Sequence, residues 1–149
     1  MKFQRVNRSD ADKGFINVRN VSGATVSAGV GFEWDVAVAT DGNAVTATKS
    51  GSLAGLFVGI NDASRADSEY GLCQVYGYRS DVWVSRACAG DVPGKWLLPV
   101  AGYFDSGQTM SGATTSGHTF VTLLETITAS AAYSSAAQLY QHAAFIRGM

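Results

Sequence analysis

Three stretches decide the reading of this chain: LAGLFVGIND (53–62), YGLCQVYGYRSDVWVSRACAGD (70–91) and KWLLPVAG (95–102). Short runs rich in Val, Tyr and Trp alternate with Gly, Asn, Asp and Ser. That pattern describes successive β-strands separated by tight turns. Leu53–Ile60 is apolar on both faces and reads as a central, fully buried strand. Tyr70–Tyr78 and Val82–Ala87 read as a hairpin turning at Ser80-Asp81, which sets Tyr78 opposite Trp83 and Tyr76 opposite Ser85.

Working outward, FINVRNV (15–21) is a strand, and Ser22-Gly23 turns it into a second at Ala24–Ala28. FEWDVAVA (32–39) places Phe32, Trp34, Val36 and Val38 on one face at period two. Asp41-Gly42 is a hairpin turn, and Ala44–Thr48 is the return strand. Lys95–Val100 and HTFVTLLETI (118–127) add strands; in the last segment Ala136, Leu139, Tyr140 and Ala143 fit a helical stripe while Ala143, Phe145 and Arg147 fit a strand, and a terminal strand from about Tyr140 is the adopted reading. DSGQTMSGATTSG (105–117) and residues 128–137 are long loops. The expected architecture is all-β: an antiparallel sandwich or barrel, jelly-roll-like, with a flexible arm at residues 1–14 and one β-rich domain at 15–149.

Composition narrows the function classes. A chain of 149 residues buries roughly 70% of its extended surface, enough for a core without staples. Only 15% of its residues are charged, against about 25% in an average domain. A surface of Ala, Gly, Ser and Thr costs little to desolvate, which suits extensive contact with protein. The net charge of −1 supplies no field to attract nucleic acid. No apolar run approaches the ~20 residues of a membrane helix, and the polar N-terminus carries no secretory signal. The expectation is a chain made and folded in the cytosol.

Little in the sequence does chemistry. Glu33 and Asp35 flank Trp34, but a glycosidase strand of the form Glu-x-Asp-x-x-Glu needs a second Glu where Ala37, Val38 and Ala39 stand. Ser9–Gly14 lacks the glycine and glutamate spacing of a calcium loop. His118 and His142 lie far apart without a patterned third ligand. Cys73 and Cys88 match no zinc or redox spacing. In the assumed hairpin they face each other; the adopted reading is two buried thiols, with a disulfide as the alternative. No catalytic residue, metal or cofactor is expected.

Two features point to binding. Lys2, Phe3, Arg5 and Arg8 give the arm charge and a few apolar anchors, which fits ordering on a neighbouring subunit. Tyr76, Tyr78 and Trp83 form an aromatic ladder, readable as a core face, an interface anchor or a platform for sugars or bases, with bases disfavoured by the net charge of −1.

The segment LAGLFVGINDASRADSEYGLCQVYGYRSDVWVSRACAGD (53–91) resembles the head decoration, or cement, proteins of tailed bacteriophages. The shared features are a strand ending in Val-Gly, a polar loop, a Tyr-Gly hairpin, then Ala-Gly-Asp before the next strand. The opening RVNRSDADKGFINVRNVSGATVSAG (5–29) and the close, VTLLETI (121–127) with AAFIRGM (143–149), are similar to phage structural proteins in style and order. The resemblance implies a virion protein on the outer surface of an icosahedral capsid. Its partners would be the major capsid protein and copies of itself, with a trimer favoured. No active site, nucleic acid or membrane is implied.

Overall fold

The computed structural model describes residues 12–37, 42–48, 56–85, 91–105, 121–127 and 139–147. These residues are all-β. They contain nine strands: β1 (Gly14–Asn20), β2 (Gly31–Trp34), β3 (Ala44–Ala47), β4 (Phe57–Asn61), β5 (Tyr70–Ser85), β6 (Trp96–Val100), β7 (Tyr103–Asp105), β8 (Val121–Leu123) and β9 (Leu139–Arg147).

Strand pairing closes on itself twice. One ring runs β1-β3-β2-β4-β5 and returns to β1; the other runs β5-β7-β6-β8-β9 and returns to β5. The long strand β5 belongs to both. Its first half pairs with β1, from Arg19 opposite Tyr70 to Gly14 opposite Tyr76. Its second half pairs with β9, from Tyr76 opposite Arg147 to Ser85 opposite Leu139. Closure is partial among the described residues: β1 meets β3 only at Arg19 and Asn20, and β5 meets β7 only at Val84. Most pairings are antiparallel as expected, but β1–β3 and β5–β7 are parallel.

Each ring has its own core. Val18, Val26, Phe32, Val45, Val58, Cys73 and Val75 fill the first. Phe57, Ile60, Val82, Val84, Leu97, Phe104, Val121, Leu123 and Ile146 form most of the second. Strand β4 is the wall between them. All five of its residues are buried, with Val58 in the first core and Phe57 and Ile60 in the second. The double-sided apolar run in the sequence reflects this position. Each fully buried side chain of this size contributes roughly 1.5–3 kcal/mol over exposure.

The expected hairpin at 70–87 is instead one sixteen-residue strand. A two-residue hairpin of the favoured type requires positive φ in its turn, and neither Ser80 nor Asp81 has it. The register slips at these residues, between Arg79 and Val82, as a bulge opposite β9. The buried Arg79 holds the bulge. Its Nη2 donates to Asp81 Oδ2 at 2.9 Å and its Nη1 to Asp62 Oδ1 at 3.2 Å, while Nε lies 2.7 Å from Asp81 Oδ1. Tyr78 therefore faces Phe145 and Trp83 faces Gln141, so the ladder register inferred from the sequence is corrected throughout. Gly77 has φ +104°, and a Cβ there would lie 2.1 Å from the Asp12 carbonyl oxygen. Only glycine allows β5 this bend and this close approach.

Other expectations hold or shift locally. β2 and β3 pair as the hairpin predicted across Asp41-Gly42, and β9 is the expected terminal strand. β2 stops at Trp34, where the Asp35 carboxylate accepts a hydrogen bond from Ala37 N and turns the chain. Residues 24–28 are not a strand; Val26 makes an isolated bridge to Arg65. β7 has no counterpart in the sequence reading. The loop expected at 105–117 lies outside the described residues beyond Asp105, as does the one at 128–137.

Cys73 is a free, buried thiol, and burial pushes its pKa up to about 12 against the pull of Arg79 and Arg65. It lies opposite Ile16 and Asn61, so the register that set it across from Cys88 does not exist; Cys88 itself is outside the described residues.

Glu125 fastens the end of β8 to β9. Its Oε1 accepts from Ala143 N at 2.9 Å and lies 2.7 Å from His142 Nδ1. The backbone bond, aided by His142 and opposed by burial, holds the carboxyl below its usual range. A lowered native pKa stabilises the fold above the unfolded carboxylate range, and the effect is lost as pH falls through the native value. Glu125→Gln is therefore expected to lower the melting temperature near neutral pH but not below the native pKa. Melting curves of both proteins from pH 7 to pH 2 check this; a constant difference across that range contradicts it.

Candidate functional site

The site is a surface rather than a cleft. Strand alternation sends the even-numbered residues of the first half of β5 away from the first core. Tyr70, Leu72, Tyr76 and Tyr78 are exposed at 52%, 47%, 47% and 40%. At about 3.3 Å per residue this row spans roughly 27 Å. Gln74 interrupts it: the residue is buried, and its amide donates to the carbonyls of Tyr76 and Tyr78 at 3.1 Å each. That pair of bonds ties the side chain down beneath the row.

Neighbouring strands widen the row. On β1, Arg19 lies opposite Tyr70 with its guanidinium 5.9 Å from the ring centroid, and Asn17 lies opposite Leu72. Phe15, 40% exposed, follows on the same strand. On β9, Phe145 lies opposite Tyr78 and meets the Tyr76 ring edge-to-face at 5.2 Å. Arg147, opposite Tyr76, adds a second cation. The result is a band of aromatic and aliphatic groups with arginines beside it.

Such a band is costly to leave in water, and a contiguous exposed apolar patch is a mark of contact surfaces. Tyrosines suit contact because an amphipathic ring offers large area with few rotatable bonds. Pairing of β5 with β1 along its first half and with β9 along its second holds the platform, so its side chains are positioned before a partner arrives.

Of the residues singled out from the sequence, Tyr76 and Tyr78 lie together in this band. Trp83 does not. It stands beyond the bulge, partly buried, with Nε1 donating to the Ala28 carbonyl at 2.8 Å. Lys2, Phe3, Arg5 and Arg8 lie outside the described residues. The sequence reading missed Tyr70, Leu72, Phe15 and Phe145 as surface groups. Alternation within YGLCQ and FINVR was the available signal, since each places large side chains opposite a buried set.

Among the described residues no group of three His, Cys, Asp or Glu could hold a metal ion. Glu33 is buried while Asp35 sits past the strand end, so the two do not share a strand face. No helix among these residues is long and apolar enough to cross a membrane. No protein-family model matches the chain, and no curated protein matches its sequence.

Proposed function

We propose that this protein is a structural component of a phage particle that binds the outside of an icosahedral capsid and braces contacts between major capsid subunits. The observation that carries the reading is the exposed band of Tyr70, Leu72, Tyr76 and Tyr78 on a strand shared by two closed rings. Its physical content is a rigid body with a preformed contact face and low surface charge. The likeness in style to head decoration proteins selects the capsid among protein partners.

In this reading the protein acts mechanically and converts no substrate. Copies associate, with a trimer favoured, so that one assembly grips several shell subunits. Simultaneous engagement raises avidity over a single site by roughly 10²–10⁴ without new kinds of contact. Modest individual interfaces then resist the outward pressure of a packaged genome. The N-terminal arm, with Lys2, Phe3, Arg5 and Arg8, would extend the contact at an ordering cost.

The test is reconstitution. Capsids assembled without this protein are mixed with purified protein and sedimented. Saturable co-sedimentation at a fixed copy number per capsid is the expected result, with a raised temperature of capsid disruption. A monomer that stays in the supernatant at every concentration overturns the proposal.

A further inference from the structure

We infer that a groove beside Trp83, separate from the aromatic band, is a binding site for a neutral saccharide. The groove is an open depression of about 700 Å³ between the β1–β2 loop, β3, the β6–β7 turn and the start of β9. Its walls include Thr25, Ser27, Thr46 and Thr48, and Trp83 lies among them.

Three observations point to this class of ligand. The first is the fixed indole. Trp83 Nε1 is bonded to Ala28 O, and its backbone N donates to Gly29 O at 3.3 Å. Gly29 has φ +80°, and a Cβ there would lie 2.9 Å from Trp83 Cδ1 and 2.1 Å from Asp81 O. The chain thus presses against the ring edge as only glycine allows, and the ring is set before any ligand binds.

The second is charge. No Asp, Glu, Lys, Arg or His lines the groove among the described residues. Against these described walls a phosphate, carboxylate or ammonium group would find no counter-charge, which disfavours it.

The third is the placement of hydroxyls. Thr48 Oγ1 is engaged by Gly102 N at 3.0 Å, and Thr25, Ser27 and Thr46 also line the groove. Thr46 is 96% buried, since its exposure is only 4%. A purely apolar ligand would strand that hydroxyl at a cost of about 1–3 kcal/mol. A sugar satisfies all three conditions. Its C–H face can lie on an aromatic ring, its hydroxyls pair with threonine and serine, and it carries no charge. A largely apolar pocket with a few placed polar groups is the usual form of a small-ligand site.

The experiment is an array of neutral and acidic glycans, followed by titration of the intact protein with glucose, mannose and galactose hexasaccharides, read by tryptophan fluorescence. Neutral glycans are expected to bind. Ser27→Arg, a bulky change at an exposed rim position, is expected to weaken them at least about tenfold with the melting temperature unchanged. Thr46→Val is expected to cost about fivefold, the equivalent of one hydrogen bond. Trp83→Ala also removes the bond to Ala28, so the rim variant carries the test if that protein fails to fold. A blank array, a preference for acidic glycans, or binding unaffected by Ser27→Arg overturns the inference. So does a groove that, when blocked by Ser27→Arg, loses only capsid attachment, which would make it part of the protein interface. Failure of capsid binding in the reconstitution leaves this result unchanged, because Trp83 and the aromatic band occupy different parts of β5.

Discussion

Replacing Tyr76 and Tyr78 together by serine is expected to abolish attachment to capsids while leaving the fold in place. Both rings are exposed, and neither belongs to either buried core. Surface changes away from packed features usually alter stability by less than about 0.5 kcal/mol; the edge-to-face contact of Tyr76 with Phe145 adds a modest further loss. At an interface the same rings act as anchors. Truncating a tyrosine hot spot costs roughly 2 kcal/mol, so two weaken a single contact by about a thousandfold. Multivalent engagement steepens the loss, because every arm of the assembly is weakened together. Co-sedimentation with capsids measures the binding, and circular dichroism with a melting curve verifies the fold. Capsid occupancy equal to that of the unaltered protein would show that the shell is gripped by another face. Tyr70→Ser, at the far end of the row beside Arg19, locates the edge of the footprint by its smaller loss.

Phe104→Ala should be the most damaging single truncation in the core. The ring is fully buried in the second core and packs edge-to-face on Phe57, with centroids 5.7 Å apart and planes at 85°. Its other side is closed by Gly31, where a Cβ would stand 3.0 Å from the Phe104 ring. Phe→Ala in such a site costs about 3–5 kcal/mol through lost transfer energy and a residual cavity. That is a large part of the 5–15 kcal/mol total typical of a domain. Urea unfolding should show a lower midpoint with an unchanged slope, and one transition. The single transition follows from the architecture: β5 runs through both rings and β4 gives side chains to both cores, so opening either ring uncovers apolar groups of the other. Two separated transitions, with only one moved by the substitution, would mean that the rings fold independently.

How much was legible in the sequence varies by element. Period-two alternation located β1 and the start of β2, where a slip of one residue would invert the pattern, but the last segment fitted a helical stripe as well as the strand that β9 forms. The unbroken apolar run before Asn61 announced β4 as doubly buried, and the structure places it between two cores. The same logic failed at Ser80-Asp81. A polar pair between two aromatic runs looks like a turn, yet here it is a bulge pinned by the buried Arg79 and its two aspartates. Asp62 is seventeen residues away in the chain, and no local pattern reports an ion pair of that span. β7 escaped notice for a similar reason. Three residues are too few for a period, and they are held by pairing with Pro99, Val100 and Val84.

For the candidate surface, Tyr76 and Tyr78 were visible as aromatics but not as exposed ones. Tyrosine is common both in cores and at interfaces, so its type alone does not choose. Trp83, five residues beyond Tyr78, belongs to a different environment because the bulge intervenes and the β1–β2 loop lies against it.

By itself the amino-acid order determined the class of secondary structure, the double-sided burial of β4 and the poverty of charge. These follow from side-chain chemistry and from the two-residue period of extended backbone, which are local. The tertiary structure alone decided that the strands close into two rings sharing β5, and which of its aromatics reach solvent. Those outcomes depend on pairings between residues far apart in the chain, such as Gly14 with Tyr76 and Ile146 with Gly77, and such contacts are chosen by the packing of the whole molecule.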